Sequence, residues 1–269
     1  MKQGPILGLA LAVLFVIGLA GAMPSFVPAS VTKASVPVTV AIPSHAVELA
    51  PGVFSLGTAV INGQLVEGLA FIDYAKDFRA AAAKPAGKGG GATTCYAFLA
   101  RDAKWKETEA YAVAPDVDAS LTGTSLTAWD EQATFGIFGA QDLSAAVDGA
   151  DTSSPDGKNE VLFGNVDSPG AIAVTIVWGI FSGPPSGRKL VEWDAVFDNV
   201  DFAFGDATLD PSVMDFQNIA THEFGHAAGM GHPDSSCAEE TMYAYADFGE
   251  TKKRDLNAGD IAGIQALYK

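Results

Sequence analysis

The chain has 269 residues, with 16 Lys and Arg against 32 Asp and Glu, so its formal net charge is −16. That balance excludes nucleic acid as a partner, because duplex affinity comes from Lys and Arg neutralising phosphates, and it disfavours docking on anionic lipid. At 48% hydrophobic, 18% charged and only two cysteines, the composition excludes a mostly disordered chain and a disulfide-dense scaffold, and the length allows one or two domains with a substantial core.

In chain order, Lys2 is the only charge before Lys33, and Ile6 to Ala22 is apolar throughout, ending in Ala20-Gly21-Ala22. A charged head, an apolar middle and a small-residue exit predict a secretory signal peptide over 1–22. The chain is therefore expected outside the cell, with no membrane contact after cleavage. The alternative is an uncleaved segment that anchors the protein to the outer face of the membrane. Residues 23–44 read as an extended leader rich in Pro, Val and Ser. Two alternating runs between Val53 and Asp73 flank Asn62-Gly63, whose residues suit the positive φ angles of a type I′ hairpin turn. Pro85 and glycines 87 and 89–91 then mark a flexible linker. Residues 23–94 are thus expected to form a small β-rich leader, removable or permanent, ahead of a domain over 95–269.

In that domain Glu107–Ala114 predicts a strand and Leu121–Ala133 an amphipathic helix. Strands are expected around Glu160–Gly164, Ala171–Trp178 and Leu190–Phe197. A helix begins with Asp215 as its N-cap and buries Phe216, Ile219, Ala220, Phe224 and Ala227. The last helix runs from about Ala258 to Tyr268, with Asn257 as N-cap and Asp260 in a first turn whose dipole favours a carboxylate.

The chemistry lies in Thr221–His232, THEFGHAAGMGH. His222 and His226 are four apart, so on a helix both project from one face and both can reach one metal. Glu223 lies beside the metal without ligating it, the position required of a base acting on a metal-activated water. Gly229 can end the helix and turn the chain sharply, returning His232 as a third nitrogen ligand. Three protein ligands with an open fourth position are the pattern of a catalytic zinc; a structural zinc is closed by four.

With these residues the chain resembles the metzincin zinc endopeptidases, and among them the matrixin-like proteins. The resemblance rests on H-E-x-x-H-x-x-G-x-x-H at His222–His232, on DFQNIAT before it, and on Met242 in ETMYAYA, which matches the family's methionine turn beneath the metal. DIAGIQALY looks like the family's closing helix, and DGKNEVLFG and GAIAVTIVW look like its middle strands. The resemblance implies an α+β fold: a twisted mixed β-sheet with an active-site helix and a C-terminal helix. It implies one catalytic Zn2+ held by His222, His226 and His232, Glu223 as the general base, Met242 in a packing role, and protein or peptide substrates. It also implies that the strand containing Ile172, Ala173 and Val174 edges the cleft and pairs with an extended peptide. Pro233-Asp234 after the third histidine departs from the usual serine. Only His45 remains outside the motif, so a second histidine-bound zinc is not expected. The acidic loops Asp148–Asn159 and Glu192–Asp201 could bind Ca2+ through oxygen. A monomer is expected.

In an exported protein with two cysteines, Cys95–Cys237 is the first disulfide reading. The alternative is latency, with the Cys95 thiolate occupying zinc's open position; its Thr-Thr-Cys-Tyr context does not match the family's Pro-Arg-Cys-Gly. Against the peptidase stands an exported non-catalytic metal-binding or interaction protein on the same scaffold, although a scaffold needs no base at Glu223. A serine hydrolase is poorly supported without G-x-S-x-G, and a cysteine protease using Cys237 would compete for the same histidines.

Overall fold

The computed structural model describes residue 1, residues 38–78 and residues 94–269. The expected signal peptide, most of the leader and the glycine-rich linker lie outside the described residues. The described elements fall in one unit, Val36–Lys269. Its strands up to the first helix are β1 (Thr39–Val40), β2 (Val47–Ala50), β3 (Val53–Ile61), β4 (Gln64–Ala75), β5 (Ala97–Phe98) and β6 (Glu109–Val113). Helix α1 (Ala119–Asp130) leads to β7 (Phe138–Gln141), β8 (Glu160–Val166), β9 (Ala171–Ile180), β10 (Lys189–Asp198), β11 (Phe204–Gly205) and β12 (Met214–Asp215). Helix α2 (Phe216–Ala227), β13 (Met230–Gly231), β14 (Tyr245–Ala246) and α3 (Ala258–Leu267) complete the chain.

The expected α+β architecture is present. A ten-stranded mixed sheet runs in the order β2-β3-β4-β9-β10-β8-β6-β7, with β1 pairing β8 and β14 pairing β4 outside that path. Strands β10, β8, β6 and β7 are mutually parallel, while β9 is antiparallel to β10. Every residue of β9 but the last is buried, the pattern of a strand covered on both faces. On the helical side Trp129, Trp193, Phe197, Phe224 and Met242 form the inner core. On the opposite face Val66, Ile72, Leu162, Val174, Ile176 and Trp178 form a second cluster.

The hairpin turn forms as the sequence predicts, with Asn62 at φ 50° and Gly63 at φ 75°. Its surroundings place this hairpin in the main sheet. β4 is inserted between β3 and β9, in register from Glu67↔Gly179 to Tyr74↔Ala171. A two-stranded hairpin is marginal alone in water and leaves an edge to be paired. Local turn chemistry specifies the hairpin and says nothing about which strand completes it. Strands from both sides of residue 94 thus belong to one sheet.

Helix α1 starts two residues earlier than expected because Asp118 caps it, accepting the N–H groups of Ser120 at 2.9 Å and Leu121 at 3.0 Å. It ends where the Asp130 carboxylate accepts the N–H groups of Ile137 and Phe138. Cys95 and Cys237 form a disulfide with Cα atoms 5.5 Å apart, as the first reading expected. The thiolate-latency alternative fails because both sulfurs are bonded, and no free cysteine occurs among the described residues. The cysteine-protease alternative falls with it.

Candidate metal centre and active site

Helix α2 owes its position to two ends tied by side chains. At the start Asp215 accepts the N–H of Asn218 at 2.9 Å and pairs with the Arg254 guanidinium. At the end the Trp105 indole donates to the Ala227 carbonyl at 2.8 Å, one of the carbonyls that a helix C-terminus leaves without a partner. Beyond it Gly229 adopts φ +103°, and a Cβ there would press on the Ala103 carbonyl and Leu267, both at 3.1 Å. Gly229 thus makes the turn that brings His232 back beside the helix.

The three histidine rings converge. The His226 and His232 Nε2 atoms lie 3.0 Å apart, and those of His232 and His222 lie 3.3 Å apart. His222 Nδ1 sits 2.7 Å from the Thr241 carbonyl and His226 Nδ1 2.8 Å from the Met230 carbonyl. A carbonyl only accepts, so both Nδ1 atoms carry the proton and both Nε2 atoms present bare lone pairs. Burial lowers the pKa of all three histidines, that of His226 to about 3, with the Lys253 charge acting in the same direction. Three neutral imidazoles therefore point lone pairs at one spot. Tetrahedral zinc with Zn–N bonds of about 2.0–2.1 Å holds its nitrogens roughly 3.3 Å apart, so the donor set fits that ion. Carbonyl partners on the outer nitrogens are the usual way such ligands are held.

Met242 is fully buried below the helix. A Cβ on Gly225 would collide with its sulfur, so the glycine lets methionine and helix touch. The turn carrying Met242 hangs on Asp260, which accepts the N–H groups of Thr241 at 2.7 Å, Met242 at 3.1 Å and Asn257 at 3.0 Å. Since the Thr241 carbonyl accepts from His222, Asp260 orients a histidine through one intervening residue.

Glu223 is fully buried. The Thr175 hydroxyl, from β9, donates to its Oε2 at 2.5 Å, while Oε1 has no partner. Burial raises its pKa well above the carboxylate range and the neighbouring Asp73 adds to this; the Thr175 hydrogen bond and the Lys253 charge oppose it. Lys253 is itself buried and donates to the Tyr243 carbonyl at 2.6 Å.

The strand expected to edge the cleft and pair with an extended peptide is paired with β4. Ala173 and Val174 pair with Asp73 and Ile72 of β4, and Ile172 lies at the adjoining register shift. Sequence reasoning missed Asp73, Thr175 and Lys253. The single signal for Asp73 was an acidic residue following the apolar run Leu69–Ile72 near the end of β4. Elsewhere Asp151, Asp156 and Glu192 bring carboxylate oxygens within 4.8 Å of one another. They join the two loops expected to hold calcium, and Glu192 Oε1 is buried without a partner.

The Matrixin family profile matches residues 56–269. Metalloendoproteinase 2-MMP of Arabidopsis thaliana is 38% identical over 88 residues, covering 32% of this chain and 21% of the relative. Metalloendoproteinase 1 of Glycine max is 38% identical over 104 residues, 38% of this chain and 30% of the relative. Matrilysin of Rattus norvegicus is 41% identical over 59 residues, 22% of this chain and 21% of the relative. Each alignment thus spans less than a third of the relative's length.

Proposed function

The chain belongs to the matrixin family, and from that membership we propose that it is a secreted zinc-dependent endopeptidase whose general base is Glu223. The observation that carries the reading is the tautomer argument: two histidines locked as Nδ1–H donors, with a third, aim lone pairs at a single point. His222, His226 and His232 hold the zinc. The bound ion supplies positive charge that acidifies a water and polarises a peptide carbonyl. Glu223 takes the proton of the attacking water and returns it to the departing amine nitrogen. Thr175 fixes one carboxylate oxygen, leaving Oε1 to handle the proton. Met242 packs below the ligands and Asp260 sets their orientation.

Secretion is supported by the signal-like segment at 1–22; among the described residues no helix is long and apolar enough to cross a membrane. Protein and peptide substrates follow from the family. The place for calcium is the Asp151, Asp156 and Glu192 cluster, where the 142–160 loop meets β10, since that ion takes several carboxylate oxygens in a flexible geometry.

Glu223→Ala tests the base. The variant is expected to keep one zinc per chain while casein hydrolysis falls about 10²- to 10⁴-fold, the usual contribution of a general base. Undiminished hydrolysis would remove Glu223 from this role. Hydrolysis insensitive to 1,10-phenanthroline would refute the zinc peptidase altogether and favour the non-catalytic scaffold.

A further inference from the structure

The three histidines are not held alike. His222 and His226 lie on α2, and each gives its Nδ1 proton to a carbonyl, of Thr241 and of Met230. His232 lies off the helix, and its Nδ1 has no hydrogen-bond partner among the described residues; only its Nε2 is in range of polar atoms, those of the other two rings. Ring contacts with Phe71, His222 and His226 surround it, and none of them sets a direction as a hydrogen bond does. Its aim therefore rests on the backbone at either side.

Both sides lead to one segment. Before His232, Met230 and Gly231 pair antiparallel with Phe98 and Ala97 of β5, and the Leu99 N–H donates to the Gly229 carbonyl at 3.0 Å. A Cβ on Gly231 would lie 3.2 Å from the Phe98 carbonyl, so the two backbones are in close contact. After His232, residues 233–236 make only local turn bonds among the described residues. The Ser236 N–H donates to the Asp234 carboxylate and the Cys237 N–H to the Asp234 carbonyl, both at 2.9 Å. The first bond from this span to another element is that of the Cys237 sulfur to Cys95, two residues before Ala97. His232 thus sits in a ring closed by β-pairing at one end and by sulfur at the other. Cys95 is itself backed by α3, where any side chain on Gly259 would strike its carbonyl. We propose that the Cys95–Cys237 disulfide positions His232, doing for the third ligand what carbonyls do for the first two, so that opening the bridge loosens the metal before it unfolds the domain. This rests on the zinc peptidase reading above, and it ties retention of the ion to oxidising surroundings.

The experiment measures zinc affinity of the full chain by competition with a chromogenic chelator. It compares wild type, Cys95→Ala with Cys237→Ala, His232→Ala, and all three substitutions together; removing both sulfurs leaves no thiol to bind the metal. Loss of the bridge is expected to weaken zinc about 10- to 100-fold, the scale of losing the outer partner of a ligand. The visible spectrum of the cobalt(II) form should move toward that of His232→Ala, with the far-ultraviolet circular dichroism unchanged. In the His232→Ala background the same loss should change affinity by less than about twofold, because two changes that act through one ligand do not add. Equal losses in both backgrounds would show a bridge that only stabilises the fold, and would overturn the proposal. A second variant keeps the bridge and inserts between the exposed Ser235 and Ser236 a glycine-serine segment long enough to double the ring; such loop tips tolerate insertion. Its zinc affinity should fall at least about threefold, the entropic scale of doubling a loop, and its cobalt spectrum should move the same way. Wild-type affinity in this variant overturns the proposal even where the chain without the bridge fails to fold. If wild type itself takes up no stoichiometric zinc, the zinc peptidase reading fails and this inference goes with it.

Discussion

Asp260 and Asp73 are both buried carboxylates in the neighbourhood of His222, one through Thr241 and one directly, and their surroundings are opposite. Asp260 accepts three backbone N–H groups and thereby fixes the Thr241-Met242 turn. Asp73 has no partner on either oxygen. The carboxylates beneath the 142–160 loop follow Asp260: Glu160 accepts the N–H groups of Asp148 and Gly149, Asp194 that of Asp151, and Asp198 that of Val166. A buried carboxylate with a full set of donors is scaffold, built so that folding itself satisfies it. One without well-formed donors stays costly when ionised, and at Asp73 the Lys253 charge offsets that cost only in part. The contrast separates carboxylates that folding satisfies from one that folding leaves in need of charge.

The largest effect expected from breaking this contrast is on the scaffold side. Asp260→Ala strands three buried N–H groups at roughly 1–3 kcal/mol each, a loss on the order of 5 kcal/mol in urea unfolding. Because Thr241 then no longer holds His222 in place, zinc affinity should fall about 10- to 100-fold. A variant with near wild-type stability would show that the turn does not depend on Asp260.

The other side is sharpened by pH. Burial raises the Asp73 pKa to about 7 from 3.8, the Lys253 charge opposing and Glu250 adding. A group whose pKa is higher folded than unfolded favours folding fully below the unfolded value and loses that contribution as pH rises through the folded one. Metal-free Asp73→Ala should therefore be more stable than metal-free wild type at pH 8, by on the order of 4 kcal/mol. The gap should close as pH falls from about 7 to 4. Paired urea titrations of the metal-free proteins at pH 8 and pH 4 read the gap; a gap of equal size at both pH values would detach it from ionisation.

What could be read from the sequence follows the range of each interaction. The His222, Glu223, His226 and His232 set was legible because its members share one helix and the turn after it, where spacing determines direction. The Asn62-Gly63 hairpin and the Asp215 and Asn257 N-cap positions were legible for similar reasons, and the distant Cys95–Cys237 pair because the chain has only two cysteines. The strand that β4 pairs with was not, because hairpin chemistry specifies a turn while sheet neighbours are chosen by burial and topology across the whole chain. Asp260 was read as a helix-dipole residue, and its hold on Thr241 came only with the fold. Asp73 and Thr175 sit on neighbouring strands that no local pattern brings together.

The smallest effect expected concerns Glu223, which stands between the two kinds of carboxylate: one oxygen is held by Thr175 and the other has no partner. Thr175→Val keeps the β-branched shape in a fully buried strand position and removes only the hydroxyl. The carboxylate then loses one charge-assisted hydrogen bond, worth about 1.5–3 kcal/mol, of which only the part that orients the base in the transition state appears in rate. We expect kcat for peptide hydrolysis to fall roughly tenfold with KM little changed, since Thr175 makes no contact that would bind substrate. Because the hydroxyl lowers the Glu223 pKa, the acidic limb of the kcat profile should also move to higher pH. A lower rate with an unmoved limb would mean that Thr175 merely packs against the base, whereas a moved limb places Glu223 with Asp260 as a carboxylate whose donor is part of its function.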